Sequence, residues 1–404
     1  MAGCLLAILE SKRPDLVRRL GASTLVTLIG VAALGGAMVF VAEDNVGFFP
    51  AGLVMFAAVT VLVVTSDRFA AHDTGRWHPE RAARLTATAA ALRDPEFEGA
   101  LRVIEPRPAT DAELMLVHSA EHVGRIRVLA NSGGGSIDAD TPLVAASLPA
   151  ALAAAGSGLS AIETLSAQPA GPPSPELDTA FCVVRPPGHH ATATTAMGFC
   201  LFNNVAVSAA ALAARGERVL IADFDAHHGN GTQDIFYGRD DVMMVSWHEF
   251  PQYPGSGRIE EMGAGRGLGT TLNIPLPSGA TVEHYLASLE GPVGAAIEAF
   301  APTWVLISAG YDGHRRDPLC GLALTDADFG ALTGALLGWS TPGRRMLFLE
   351  GGYDLEALRD SLRATLSTIT DAGLPPVDRP SWGGPGAEVI ASLDAARRRL
   401  DLPA

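Results

Sequence analysis

From about residue 60 onward, short apolar runs rich in β-branched residues alternate with longer stretches whose apolar positions recur at helical spacing. Uninterrupted apolar runs between turn residues mark strands buried on both faces, and their alternation with helices predicts a parallel sheet covered on each side. Strands are expected near Val61–Thr65, Arg102–Ile104, Ala180–Arg185, Arg218–Phe224, Val242–Trp247, Thr303–Ser308 and Met346–Leu349. An Ala-rich helix is predicted from Leu143 to about Ser166, after the glycine run Gly133–Gly135. His78-Pro79-Glu80 reads as the opening of another, because proline tolerates the first helical position and a carboxylate suits the positive helix end. Gln168 to Pro175 has the composition of a surface loop, and no internal repeat is visible.

The amino-terminal pattern is different. No charged residue occurs from Leu20 to Ala42, and Lys12, Arg13, Arg18 and Arg19 precede that stretch. It is long enough to cross a bilayer as a helix with its basic end inside, so a membrane anchor at 20–42 is expected. A cleaved signal peptide fits less well, since Phe40 stands where a small residue is wanted. A start assigned too far upstream would produce the same stretch. The later half of a second apolar run, Val59 to Thr65, leads into Ser66-Asp67-Arg68 and is assigned to the first buried strand. The expected organisation is an extension over 1–58, one α/β catalytic domain over 59–375 and a peripheral segment over 376–404.

Composition narrows the chemistry. A chain of 404 residues, 48% of them hydrophobic, can bury one large core. Lys and Arg total 29 against 44 Asp and Glu, and a formal charge of −15 repels phosphate backbones while attracting cationic partners. No nucleic-acid partner is expected. Cys4, Cys182, Cys200 and Cys320 form no CxxC pair and no disulfide pattern, so they read as buried free thiols in a reducing compartment.

Polar clusters follow the predicted strands, where an open α/β sheet binds its ligands. Asp225 and His227 lie two apart on extended backbone, so their side chains point the same way and can share one metal ion, with Asp312 arriving from a later strand end. Two carboxylates and one imidazole leave a coordination position open, as catalytic zinc requires. The pair His189 and His190 follows the stiff turn Pro186-Pro187-Gly188 and could divide the two proton transfers of amide hydrolysis. Tyr353, after Gly351-Gly352, could stabilise the oxyanion.

Arg185-Pro-Pro-Gly-His-His-Ala191, Gly198-Phe-Cys-Leu-Phe-Asn-Asn204, the run from Asp223 to Gln233, Ser308-Ala-Gly-Tyr-Asp312 and Glu350-Gly-Gly-Tyr353 together resemble the ordered signature of the histone deacetylase family. With Gly229-Asn230, the chain is more similar to the class II and bacterial branch, acetylpolyamine amidohydrolases included. The resemblance implies an arginase/deacetylase-like sheet sandwiched by helices. It also implies one Zn²⁺ on Asp225, His227 and Asp312, and a proton-transferring pair His189 and His190 backed by Asp223 and Asn230. Tyr353 would polarise the acetyl carbonyl. It further implies a structural K⁺ at Asp223 and Ser246, and an acyl tunnel walled by Gly198 and Phe199, with Tyr253 where phenylalanine is usual. Leu319 matches a gatekeeper that is acidic in polyamine-selective relatives, and Asp138 or Asp140 would grip the substrate backbone. The implied activity is removal of acetyl from lysine in a protein, or from a small acetylated amine. The catalytic domain is expected to be cytoplasmic. Arginase-like ureohydrolases share the fold and an Asp-Ala-His core, but they need an aspartate where this chain has Gly229. An inactive acetyl-lysine reader is the remaining alternative, and it retains every ligand and the tyrosine only by coincidence. Oligomeric state is not encoded in any feature of the sequence.

Overall fold

The computed structural model describes residues 41–42, 45–46, 60–168 and 177–403. Within the first 58 residues these comprise Val41–Ala42 paired antiparallel with Asn45–Val46. The rest of the expected anchor at 20–42 lies outside the described residues.

From Thr60 the chain builds one eight-stranded sheet. Its strands are β1 (Thr60–Val64), β2 (Leu101–Ile104), β3 (Leu177–Cys182), β4 (Val219–Asp223), β5 (Val242–Glu249), β6 (Thr271–Leu276), β7 (Trp304–Ala309) and β8 (Arg345–Leu349). They lie in the order β6-β5-β4-β7-β8-β3-β1-β2, every neighbouring pair parallel. Alternate residues feed two cores. On β4, Leu220 and Ala222 face one side with Val305 and Ile307 of β7, while Val219 and Ile221 face the other with Leu306. This two-sided burial explains why the strands read as unbroken apolar runs.

One face is covered by α3 (Ser147–Ser166) and α4 (Asn204–Ala213), the other by α8 (Asp326–Leu337) and α9 (Leu355–Thr370), numbering the helices of eight or more residues along the chain from α1 (Ala83–Leu92) and α2 (Ala120–Asn131), with α5 given to the short Asn230–Phe236 and α6 and α7 to Val282–Glu290 and Pro292–Phe300. Among the described residues only α3 is long and apolar enough to cross a membrane, and it is a core helix, mostly buried in this domain. Its small residues allow close packing: a Cβ on Gly158 would stand 2.0 Å from Ser208 Oγ of α4.

Three expectations change. β6 was not anticipated; its Asn273 and Pro275 interrupt the apolar run, and pairing with β5 overrides that. The predicted helix from Leu143 begins at Ser147, because Pro142–Val144 pairs with Gly134–Ser136 as a short hairpin. His78-Pro79-Glu80 does not open a helix. α1 starts at Ala83, since the Glu80 carboxylate is drawn inward to Arg84 and Arg185 and His78 Nε2 meets Asp140 O. Beyond residue 375, α10 (Ala387–Arg399) lies against the domain and adds Val389 and Leu393 to the core.

Candidate metal centre and active site

The four central strands β4, β7, β8 and β3 release their carboxyl ends side by side, and the polar segments meet there. After β3 the chain stays buried through Arg185, which donates to Phe69 O, His72 O and the Glu80 carboxylate and so anchors the base of the following turn. Glu350, just past β8, accepts from the backbone N–H of Gly188 at 2.7 Å and of His189 at 3.2 Å. Between these clamps the turn presents both imidazoles. His189 Nδ1 lies 2.9 Å from Asp223 Oδ2, His190 Nδ1 lies 2.8 Å from Asn230 Oδ1, and the ring centroids are 4.0 Å apart.

Past β4, Asp225 and His227 project together, and Asp312 reaches them from beyond β7. His227 Nδ1 is 3.2 Å from Asp225 Oδ1 and 3.0 Å from Asp312 Oδ2. The two carboxylates are only 1% and 0% exposed, and among the described residues no Lys or Arg pairs with either. Glycines make room for them: a Cβ on Gly351 would stand 2.2 Å from Asp312 Oδ2 and 2.6 Å from Asp225 Oδ2. Gly229 is equally constrained, a Cβ there lying 2.3 Å from Asp223 Oδ2. An aspartate at 229 for a second metal would not fit.

The electrostatics follow from this crowding. Burial opposes charge on His189, but Asp225, Asp223 and Glu350 outweigh it and raise its pKa to about 10. Burial, reinforced by the positive His189 and His227, keeps His190 well below the ordinary histidine value. The two neighbouring rings are thus pushed in opposite directions. His227 is pushed well up despite its burial, because Asp225 and Asp312 both face it. Buried carboxylates without a fixed cation demand a mobile one. Protons can meet that demand, and so can a dication held by two carboxylate oxygens and Nδ1, a donor set that fits zinc with a position left open.

A second group, His314, Asp326 and Asp378, also brings its polar atoms together. It does not fit a metal. His314 Nδ1 accepts from Arg316 N at 3.1 Å, so its Nε2 carries the hydrogen and has no lone pair to offer.

At the mouth, Phe199 adopts φ 69°, a strained conformation for a side chain of its size, and its ring edges onto Tyr353 at 5.9 Å and His78 at 4.7 Å. The preceding Gly198 stacks on His190, where a Cβ would come within 2.5 Å of the ring. Tyr253 stands on the rim, 5.2 Å from His190 between centroids. Leu319 O accepts from Gln252 Nε2 at 3.1 Å, which puts Leu319 beside that rim. The 138–140 loop is tied to the same wall, Phe199 N donating to Thr141 Oγ1 at 3.2 Å. Tyr353 is fixed by its backbone N–H on Asp317 Oδ2 at 2.7 Å. Ser246 lies opposite Asp223 in the β4–β5 register, its hydroxyl 3.0 Å from His248 Nδ1.

The pattern of the histone deacetylase domain matches residues 78–369 of this chain. The chain belongs to the histone deacetylase family. A probable deacetylase of Archaeoglobus fulgidus is 37% identical over 300 residues, 73% of this chain and 81% of that protein. A histone deacetylase-like amidohydrolase of Pseudomonas aeruginosa is 38% identical over 254 residues, 61% of this chain and 64% of that one. Among solved structures, the HD domain of HDA15 superposes with a TM-score of 0.74 at 32% identity, covering 85% of this chain and 98% of that domain. The fold is accordingly arginase/deacetylase-like, and the activity is that of a deacetylase acting on acetylated substrates.

In this histone deacetylase fold, three residues that hold the site carried no role in the sequence reading. Glu350 orients the imidazole turn. Arg84 donates to Gly352 O at 2.7 Å and to Glu350 O, bracketing the turn before Tyr353. Cys320, read only as a buried thiol, is partly exposed and lies 3.6 Å from His227 Nε2. The legible signals were a carboxylate ending an apolar strand and an arginine within an apolar helix; for Cys320 there was none.

Proposed function

We propose that this chain hydrolyses the acetyl amide of acetyl-lysine with a single zinc ion held by Asp225, His227 and Asp312. The observation that carries the reading is the convergence on His227 Nδ1 of two buried carboxylates, neither of them paired with Lys or Arg among the described residues. Bound there, zinc would supply Lewis acidity to water and to the acetyl carbonyl. His190, oriented by Asn230 and kept neutral by burial, has a nitrogen lone pair free to take the proton from water and return it to the leaving amine. His189, fixed on Asp223 and pushed up in pKa by the surrounding carboxylates, stabilises the negative charge that grows during attack. The Tyr353 phenol, kept protonated by burial and by the Asp312 and Asp225 charges, donates to the developing oxyanion. Gly198, Phe199, Tyr253 and Leu319 form the walls that admit a slender acyl-amine chain and exclude water. Asn230 keeps His190 in its working orientation.

Leu319 favours acetyl-lysine over an acetylpolyamine, because an apolar side chain offers nothing to a second ammonium. The test is turnover of acetyl-lysine peptides and acetylated polyamines by protein with and without zinc. Zinc-dependent release from the peptides supports the reading, and release that ignores zinc refutes it. The same reading includes potassium at Asp223 and Ser246 and a cytoplasmic catalytic domain over 59–375, with the segment from 376 packed on it through Val389 and Leu393; a single crossing at 20–42 with its basic end inside would carry that domain across the membrane, so the anchor is not part of the reading.

A further inference from the structure

Metal-ligating imidazoles usually donate their second ring N–H to a neighbouring acceptor, which fixes the tautomer and steadies the ligand. His227 turns Nδ1 toward Asp225 and Asp312, so its Nε2 must carry the remaining hydrogen when Nδ1 binds a cation. Among the described residues, the side chain that meets Nε2 is Cys320, its Sγ at 3.6 Å. The thiol is held in place from both sides. Leu319 N donates to Asp317 Oδ1 at 3.0 Å, and Gly321 N donates to Glu249 Oε2 at 2.7 Å.

We infer that Cys320 is a positioning residue for the metal ligand, its sulfur accepting the Nε2–H of His227 and locking the imidazole in the tautomer that leaves Nδ1 free to coordinate. This rests on the zinc reading of the site. The bond is weaker than one to a carboxylate, since a neutral sulfur is a poor acceptor. It leaves the imidazole a milder donor than a histidine backed by Asp or Glu. No bond is formed or broken by Cys320, and no chemistry passes through it.

The experiment measures zinc affinity of the full chain by competition with a chelator, with elemental analysis of bound zinc. Cys320→Ala is expected to weaken zinc binding about tenfold or more, the usual consequence of losing an outer partner. Cys320→Ser should recover part of the loss, and Cys182→Ala, remote in β3, should bind as the unaltered chain does. Equal affinity in Cys320→Ala overturns the inference. Failure of the unaltered chain to bind zinc would instead remove the proposed function. Should Cys320→Ala not fold, ¹⁵N-histidine NMR of the zinc-loaded unaltered chain and of Cys320→Ser decides. A protonated His227 Nε2 whose resonance moves in the serine variant supports the inference, and an unprotonated or unmoved one overturns it.

Discussion

Glu80 and the pair Asp225 and Asp312 are all buried to 1% exposure or less near the same strand ends, yet among the described residues guanidinium partners reach only the first. Glu80 is clasped by Arg185 and Arg84. Burial alone would raise its pKa, but Arg185 overrides this and holds it down at about 2. Asp225 and Asp312 face imidazoles instead, His227 between the two and His189 Nε2 at 3.8 Å from Asp225 Oδ1. The first cluster is complete in itself and acts as a keystone: Arg185 carries the histidine turn and Arg84 the tyrosine turn. The second has no guanidinium among the described residues, and the proposed dication would supply the fixed positive charge it lacks. Buried charge is structural where the chain neutralises it, and functional where it leaves neutralisation to an outside cation.

Removing one ligand should break the second cluster outright. Asp312→Ala or His227→Ala is expected to abolish both stoichiometric zinc and turnover, read by elemental analysis and acetyl-lysine hydrolysis; full zinc occupancy in either variant would deny them a ligand role. The first cluster should fail differently. Arg185→Met leaves Glu80 with half its compensation and should cost about 3–5 kcal/mol of stability in denaturant unfolding, as breaking a buried ion pair does. A loss below about 1 kcal/mol would mean the pair is not a keystone. Tyr353→Phe should touch neither cluster. It should lower kcat about a hundredfold with zinc still bound, the usual cost of an oxyanion donor; undiminished kcat would remove its role.

The pH dependence separates the clusters again. Because the folded pKa of Glu80 lies below its ordinary 4.5, its ion pair stabilises fully above that value and is lost as pH falls toward about 2. The stability gap between the unaltered chain and Glu80→Gln should therefore be flat from neutrality down to about pH 5 and shrink below it. A gap that widens on acidification would contradict the assignment. The smallest effect lies at the rim, where Leu319→Glu should shift relative rates toward acetylated polyamines, and unaltered ratios would deny Leu319 a part in selectivity.

Much of this was legible in the sequence, for a physical reason. Asp225 and His227 share a local backbone geometry, and strands buried on both faces announce themselves as apolar runs. Spacing and pattern carry that information without any long-range contact. The keystone does not have such a signature. Glu80 looked like a helix opener because its neighbours obey helix-start rules, and only the fold brings Arg185 to it from 105 positions away. Cys320 and His227 are 93 positions apart, and a lone thiol has no pattern at all. β6 escaped for the opposite reason, its local polarity arguing against a strand that pairing with β5 enforces.

The central claim, that one dication completes the Asp225–His227–Asp312 set, is tested most directly by crystallising the zinc-loaded chain and recording anomalous scattering at the zinc edge. The account predicts one peak, bounded by His227 Nδ1 and a carboxylate oxygen from each aspartate. A peak elsewhere, or two peaks sharing the site, would contradict it.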